Sequence, residues 1–313
     1  MIRRLLYTAL LLWVCASAFS RQTLRIMSYN VENLFYPEAD SLHPDTEFTP
    51  EGARHWSVTR YRRKLAHIAQ VMADAGQWEM PAIVGLQEVE EERCLSDLCT
   101  YHLRSHRYRY VLFEGPDVRG IDVGLIYDTT QVTLQYAAPV PVPLPAGERP
   151  TRDILYTRFL LCDSTCLHVF TCHLPSQVGG AKASEHRRKA VADVLSHQAD
   201  SLLQADSLAY IVMMGDFNAD PQDNMPPMIN LMLSMTGADH GTEKYHGHWA
   251  FLDQFFVSPA MSEAKAQVFD ADFLLESDKA YLGMKPRRTY HGYHYQRDGY
   301  SDHLPVLLEW IIN

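Results

Sequence analysis

Nine short apolar runs constrain this chain more than any other feature: Leu24–Tyr29, Ala82–Leu86, Tyr108–Phe113, Val123–Tyr127, Leu155–Cys162, Cys166–Thr171, Tyr210–Met214, Leu252–Val257 and Val306–Ile311. Short apolar runs bounded by turn-forming residues are the pattern of β-strands. Two other stretches read as amphipathic helices. Leu65, Ile68, Ala69, Met72 and Ala75 share one face of the first, and Val191, Val194, Leu195 and Leu202 one face of the second. The strands do not alternate regularly with helices, and some follow one another directly, as in a hairpin. A mixed sheet, or two sheets covered by helices, is therefore expected rather than a doubly wound parallel fold. No internal repeat interrupts this order. The one biased stretch, Ala138–Pro150, carries five prolines and reads as an extended loop within a domain.

The chain has 313 residues, 47% of them apolar and 21% charged, which is globular rather than disordered composition. Arg3 and Arg4 precede an uncharged stretch from Leu5 to Phe19, with Ala16-Ser17-Ala18 at A-x-A spacing. That is the pattern of a secretory signal peptide, and the stretch is shorter than the roughly 20 residues that span a bilayer. The expected organisation is a signal peptide over 1–18 and a single domain over 22–313. The protein is then exported, periplasmic or secreted, and a lipid-anchored form through Cys15 is the lesser alternative. Removing Arg3 and Arg4 takes the formal charge from −10 to −12. Such a balance argues against a basic coat for nucleic acid or membrane, but an acidic enzyme can meet phosphate through a metal ion. Export also permits disulfides. Cys162 with Cys166, across a turn, and Cys94 with Cys99 are the pairings that proximity suggests, although spacing cannot fix connectivity. No zinc spacing is present.

Chemistry-bearing residues gather where the runs end. Asn30 and Glu32 follow the first, Gln87 and Glu88 the second, His173 the sixth, and Asp216 and Asn218 the seventh. Asp253 lies in the eighth run, and Ser301, Asp302 and His303 precede the last. Each alone has a plainer explanation as a turn, cap or surface residue. Together they suit phosphoester hydrolysis, which needs a metal to neutralise phosphate oxygens, a base to activate water, and donors for the transition-state charge. In this reading Glu88 binds a hard divalent cation and Asp216 takes a proton from water. His173 and His303 meet the phosphoryl oxygens, and Asp253 holds the His303 imidazole in one tautomer and favours its cation. A P-loop, a dinucleotide glycine pattern and a G-x-S-x-G elbow are all missing from the sequence.

Seven segments resemble the endonuclease/exonuclease/phosphatase superfamily, in its order: SYNVE at 28–32, GLQEV at 85–89, RGIDVG at 119–124, TCHLPS at 171–176, GDFN at 215–218, LDQFFV at 252–257 and SDHLPV at 301–306. The resemblance is deoxyribonuclease I-like and fits a secreted bacterial member. It implies a four-layer α-β-β-α sandwich of two mixed sheets, of α+β or α/β class, and a Mg²⁺- or Mn²⁺-dependent phosphodiesterase or phosphatase. By the same resemblance Glu88 is the main metal ligand, assisted by Asn30 and by Glu32 or Asp302. Asp216 activates water, Asn218 orients water or phosphate, and His303 paired with Asp253 stabilises the transition state. His173 matches the histidine of the deoxyribonuclease I and sphingomyelinase branches.

Candidate substrate contacts are Arg119 in the third segment, Ser176 beside Gly179-Gly180, and Lys64 in a basic stretch. That stretch carries Arg54, Arg60, Arg62, Arg63 and Lys64 interleaved with Trp56 and Tyr61. It could grip a polyanion or stack a base, or it could be a solvated helix face with core aromatics. The leading expectation is an exported nuclease or phosphodiesterase acting on a phosphoester substrate such as DNA or RNA, with no stable protein partner and no transmembrane segment after the leader. A phosphatase or sphingomyelinase-like phospholipase is the rival within the same chemistry, favoured by the acidic charge. A catalytically silent binding module is the rival from another class, and the intact catalytic set speaks against it.

Overall fold

The computed structural model describes residues 22–39, 46–177, 179–221, 228–235 and 239–312. The expected signal peptide lies outside them. The chain first lays down four strands, β1 (Gln22–Leu34), β2 (Ile83–Val89), β3 (Tyr108–Leu112) and β4 (Asp122–Asp128). Next come β5 (Val132–Val140), β6 (Ile154–Leu161), β7 (Cys166–His173), β8 (Tyr210–Asp216) and β9 (Ile229–Asn230). A small hairpin, β10 (Glu243–Tyr245) with β11 (His248–Ala250), leads to β12 (Asp253–Val257), and β13 (Lys265–Val268) returns to the first sheet. Two more hairpins, β14 (Leu275–Ser277) with β15 (Met284–Pro286) and β16 (Tyr290–His291) with β17 (His294–Tyr295), precede the final β18 (Val306–Ile312). The two large sheets have the orders β13-β18-β1-β2-β4-β3 and β5-β6-β7-β8-β12-β9. Both are mixed: β1 with β2 and β7 with β8 are parallel, and their other pairings are antiparallel.

Alternation along the strands produces the layers. In β1, Leu24 and Ile26 face the other sheet while Met27 and Tyr29 face outward. The inner set meets Phe159, Leu167, Val169, Val212, Met214 and Phe255 from the second sheet. The outer face of the first sheet is covered by helix α1 (Val58–Gly76), through Leu65, Ile68 and Met72. The outer face of the second is covered by the 21-residue helix α3 (Glu185–Ala205), through Val191, Leu195 and Ala199. The expected α-β-β-α sandwich is the fold. The Ser57 hydroxyl caps α1 by accepting from the Arg60 amide, and the helix stops where Gln77 turns to positive φ.

Several boundaries differ from the sequence reading. Ala138–Val140, expected in a loop, forms the end of β5, which hydrogen-bonds as an edge strand to β6; Pro139 is tolerated there as edge strands tolerate proline. A short helix, α2 (Glu92–Asp97), follows the acidic run after Glu88. The suggested disulfides are not formed, and all five described cysteines are free. Cys166 pairs across the hairpin with Leu160, and the Leu161 amide donates to Thr165 O, so Cys162 sits in the turn rather than opposite Cys166. Cys94 instead points its thiol at Leu34 O.

Candidate active site

The polar residues expected at strand ends lie at one edge of the sandwich, and most belong to the strands themselves. β1 continues past Tyr29 to Leu34, and its register against β2 shifts between Asn30 and Leu34. β2 is irregular against β4 between Gln87 and Val89. Glu32, Asn33 and Glu88, at these two adjacent bulges, all have positive φ, as does Asn218 just after β8. Bulges re-aim side chains that strict alternation would send to the other face, and non-glycine residues in left-handed backbone concentrate at functional sites. Gly215 (φ 147°) supplies a tighter requirement, because a Cβ there would stand 1.9 Å from Cys172 O on the neighbouring strand. Only glycine lets β8 approach β7 closely enough to set Asp216 beside His173.

Asp216 is the hub. One carboxylate oxygen accepts from the Asn218 amide at 2.9 Å, and the other from Asn30 Nδ2 at 3.1 Å. That second oxygen also stands 3.4 Å from His173 Nε2 and 3.9 Å from His303 Nε2. The Asn30 amide is oriented from both ends, since its Oδ1 accepts from the Glu32 amide at 3.0 Å. The His303 Nδ1 lies 2.7 Å from Asp253 Oδ2. The Asp253 backbone amide in turn donates to Thr242 Oγ1. Asn218 is fixed by donating Nδ2 to Leu174 O.

These contacts separate the protonation states. Burial pushes the Asp216 carboxyl up to about 7, the Asp253 charge adds to this, and the His303 cation with the Asn218 and Asn30 donors oppose it. Burial alone would pull His303 down. The charge and hydrogen bond of Asp253, with Asp216 and Asp302 beyond it, overcome that and hold it well above the ordinary histidine value. His173 is pulled well below that value by burial and by Arg152, Arg119 and His303. One imidazole is thus kept cationic and the other neutral, on either side of a single carboxylate.

The expected metal ligands fall into two groups. Glu88 accepts from the Asn33 amide at 2.9 Å, with its other oxygen 3.8 Å from Arg119. Arg119 also donates to Asn33 Oδ1 at 2.7 Å, so it frames Glu88 at the mouth. Glu88 and the Asn30–Asp216 pair occupy neighbouring strand ends. Glu32 and Asp302 form the second group and share Arg288, at 3.5 Å and 2.6 Å respectively. The Thr289 amide donates to Glu32. Burial, with Asp302 adding, pushes Glu32 up to about 7 against the opposing charges of Lys64 and Arg288. Among the described residues, no three His, Cys, Asp or Glu side chains close around one point.

The substrate candidates fare differently. Ser176 is exposed at the end of the loop after β7, and its carbonyl accepts from Ser184 Oγ. Lys64 does not reach solvent. It is 2% exposed, and burial pulls its ammonium down to about 8. Two of its neighbours in the basic stretch are also engaged, while Arg62 is exposed and Arg63 half-buried on α1. The Arg54 guanidinium stacks on Phe48, Tyr290 and Tyr293, and Arg60 on Tyr295, while Trp56 and Tyr61 are core. The stretch combines a packed joint to the β16–β17 hairpin with a partly solvated helix face, as the reading of a solvated face with core aromatics expected.

Sequence reasoning missed Arg152, 5% exposed beside His173, whose Nε donates to Ile121 O. It sits just before β6, and β6 runs antiparallel to β7, so its start lies at the same edge as His173. Applying the strand-end rule to strand starts would have found it. Arg288 and Asn33 were missed too, and nothing local marks the loop of Arg288. A cavity of 480 Å³ lined by Lys244, Trp249 and Leu304 has none of these site residues in its wall.

The family model that matches this chain is described as the Endonuclease/Exonuclease/phosphatase family and spans residues 25–311. Among solved structures, truncated TDP2 from Caenorhabditis elegans is 13% identical, covering 93% of this chain and 98% of its own, with a TM-score of 0.59. The mannosyl-6-phosphatase Bt3783 of Bacteroides thetaiotaomicron is 16% identical, covering 92% and 100%, with a TM-score of 0.56. TDP2 from D. rerio, complexed with a single-strand DNA product, is 16% identical over 93% and 100%, with a TM-score of 0.57. No curated protein matches the chain.

Proposed function

The chain belongs to the endonuclease/exonuclease/phosphatase family, which hydrolyses phosphate esters with the help of a divalent metal, and from that premise we propose that it is a phosphoesterase in which Asp216 activates the attacking water. The observation that carries this reading is the Asp216 carboxylate, held by Asn30 and Asn218 between one cationic and one neutral imidazole. Such an arrangement provides a base of matched pKa and a charged donor for the phosphoryl oxygens.

The donor set fits a hard cation. Glu88 and the Asn30 amide oxygen are oxygen ligands, and Mg²⁺ is commonly held by one or two carboxylates with water completing its shell. Glu88 and Asn30 would hold it, with Glu32 and Asp302 outside them. When bound, it polarises the phosphoryl group and neutralises its oxygens. The geometry supports these roles for the protein's own residues. Asp216 accepts the proton from water, and Asn218 and Asn30 fix the orientation of its two oxygens. The His303 cation donates to a phosphoryl oxygen, with Asp253 keeping it charged. His173 offers a neutral N–H, and Arg119 at the mouth faces the incoming anion.

A phosphodiester in DNA or RNA remains the leading substrate class of the sequence reading. A small phosphomonoester is the second reading, and a specific observation favours it. Three of the five basic residues that would have gripped a polyanion are engaged, Arg54 and Arg60 on aromatic rings and Lys64 by burial, leaving Arg62 exposed and Arg63 half-buried, and the net charge is −10. Purified protein assayed with Mg²⁺ or Mn²⁺ on plasmid DNA, RNA, bis-p-nitrophenyl phosphate, p-nitrophenyl phosphate and sphingomyelin tests both. Chelator-sensitive cutting of nucleic acid that Asp216→Asn lacks supports the nuclease reading, and activity confined to a monoester or the lipid supports its rivals. Silence on every substrate, with metal bound, would point to a phosphoester outside this set or to a binding module on an enzyme's scaffold. Export is proposed on Arg3-Arg4 and the A-x-A site; the intact mass of the protein recovered from outside the cytoplasm tests it, and retention of residues 1–18 would refute cleavage. Among the described residues, no helix is long and apolar enough to cross a membrane.

A further inference from the structure

We infer that Lys64 is a positioning residue for this site: its buried ammonium ties together the two loops that carry Arg288 and Asp302, and so holds both in place against Glu32 of β1. The inference rests on the metal-dependent reading above. Lys64 projects from α1, where the neighbouring buried positions Tyr61, Leu65 and Ile68 are apolar or aromatic. Its Nζ donates to Thr289 Oγ1 and to Tyr300 O, each at 2.5 Å. The Thr289 amide donates to Glu32, and adjacent Arg288 bridges Glu32 and Asp302. The second loop is pinned at successive residues. Lys64 holds Tyr300 O, and Ser301 Oγ donates to Asn30 O at 2.6 Å while accepting from the His303 amide at 3.1 Å. One cation therefore anchors both segments that deliver charged groups to the edge of β1.

Packing alone does not explain a lysine here. A desolvated ammonium is costly, and an apolar side chain of similar length would fill the same space without that cost. Facing it are the charges of Glu32, Asp302 and Glu88. Lys64 touches no substrate position, so it acts through the groups it holds.

The test uses the whole protein, Mn²⁺ as the probe, and electron paramagnetic resonance of the free aquo ion to measure its Kd. Lys64→Met keeps the unbranched stem and removes the cation. Loss of an outer-shell support of this kind typically weakens metal binding by 10-fold or more. We expect about a 10-fold weaker Mn²⁺ affinity and a lower kcat, with KM unchanged within about twofold. Thr289→Val keeps the amide that donates to Glu32 but removes the hydroxyl that accepts from Lys64 and itself donates to Tyr300 O at 3.2 Å, and should shift Mn²⁺ affinity in the same direction. Wild-type Mn²⁺ affinity in both variants, even with a lowered Tm, would make Lys64 a purely structural residue and overturn the inference. If Lys64→Met fails to fold, Lys64→Gln, which keeps a hydrogen-bond donor without the charge, decides with Thr289→Val: unchanged affinity in both overturns the inference, weakened affinity in both supports it. A wild-type protein that binds no Mn²⁺ overturns the metal-dependent reading as well, and so separates the two failures.

Discussion

Asp216 is opposed by its own surroundings. Burial favours its protonated form, while the His303 cation and two hydrogen bonds favour the carboxylate. A base acts only when deprotonated, so kcat/KM should rise as pH climbs through about 7, the value burial imposes, rather than near 4 as for a solvated carboxyl. A flat profile between pH 5 and pH 8 would exclude Asp216 as the base. Asp216→Asn should lower kcat by about 10²- to 10⁴-fold, the usual worth of a general base. His303 must keep its proton, and Asp253 is what raises it. Asp253→Asn should therefore move the alkaline limb of the same profile to lower pH, and an unmoved limb would refute that role. Glu88, Asp216, Asp253 and His303 were legible from motif order alone. The His303 cation beside Asp253 was expected too, but the neutral state of His173 was not, because it depends on burial and on Arg152 and Arg119 arriving from separate loops.

At the scale of elements, the adjacent bulges of β1 and β2 and the close approach of β8 to β7 build the site. Gly215→Ala would place a methyl group against Cys172 O, and the strands would have to part. A loss of about 3 kcal/mol is expected, read from the midpoint of urea denaturation, as for a severe overpacking change. The joint between the loop of Arg54 and the β16–β17 hairpin should behave more mildly. Arg54→Ala removes its stacking on Phe48, Tyr290 and Tyr293 and its bond to Gly292 O, for about 1–2 kcal/mol by the same measurement. Strand positions were readable because apolar alternation is local. The extensions of β1 to Leu34 and β8 to Asp216 were not, since polar residues end a periodic pattern even where the ladder of hydrogen bonds continues.

At the scale of the molecule, the five described cysteines are reduced. After denaturation without reductant, Cys94, Cys99, Cys162, Cys166 and Cys172 should each take one alkyl group, and any protected pair would contradict this. In the folded protein the exposed Cys162 should react first. The sequence by itself determined a mixed sheet or two sheets covered by helices, because hydrophobic alternation is written along the chain, and the motifs it shares in order with a known family implied the four-layer class and which residue types could carry phosphoester chemistry. Tertiary structure alone decided which further charges join the site. Arg288 comes to lie between Glu32 and Asp302, 256 and 14 residues away in sequence, and Lys64 at the end of the basic stretch turns inward. Burial and pairing depend on which elements meet in space, and no local pattern of residues encodes that meeting.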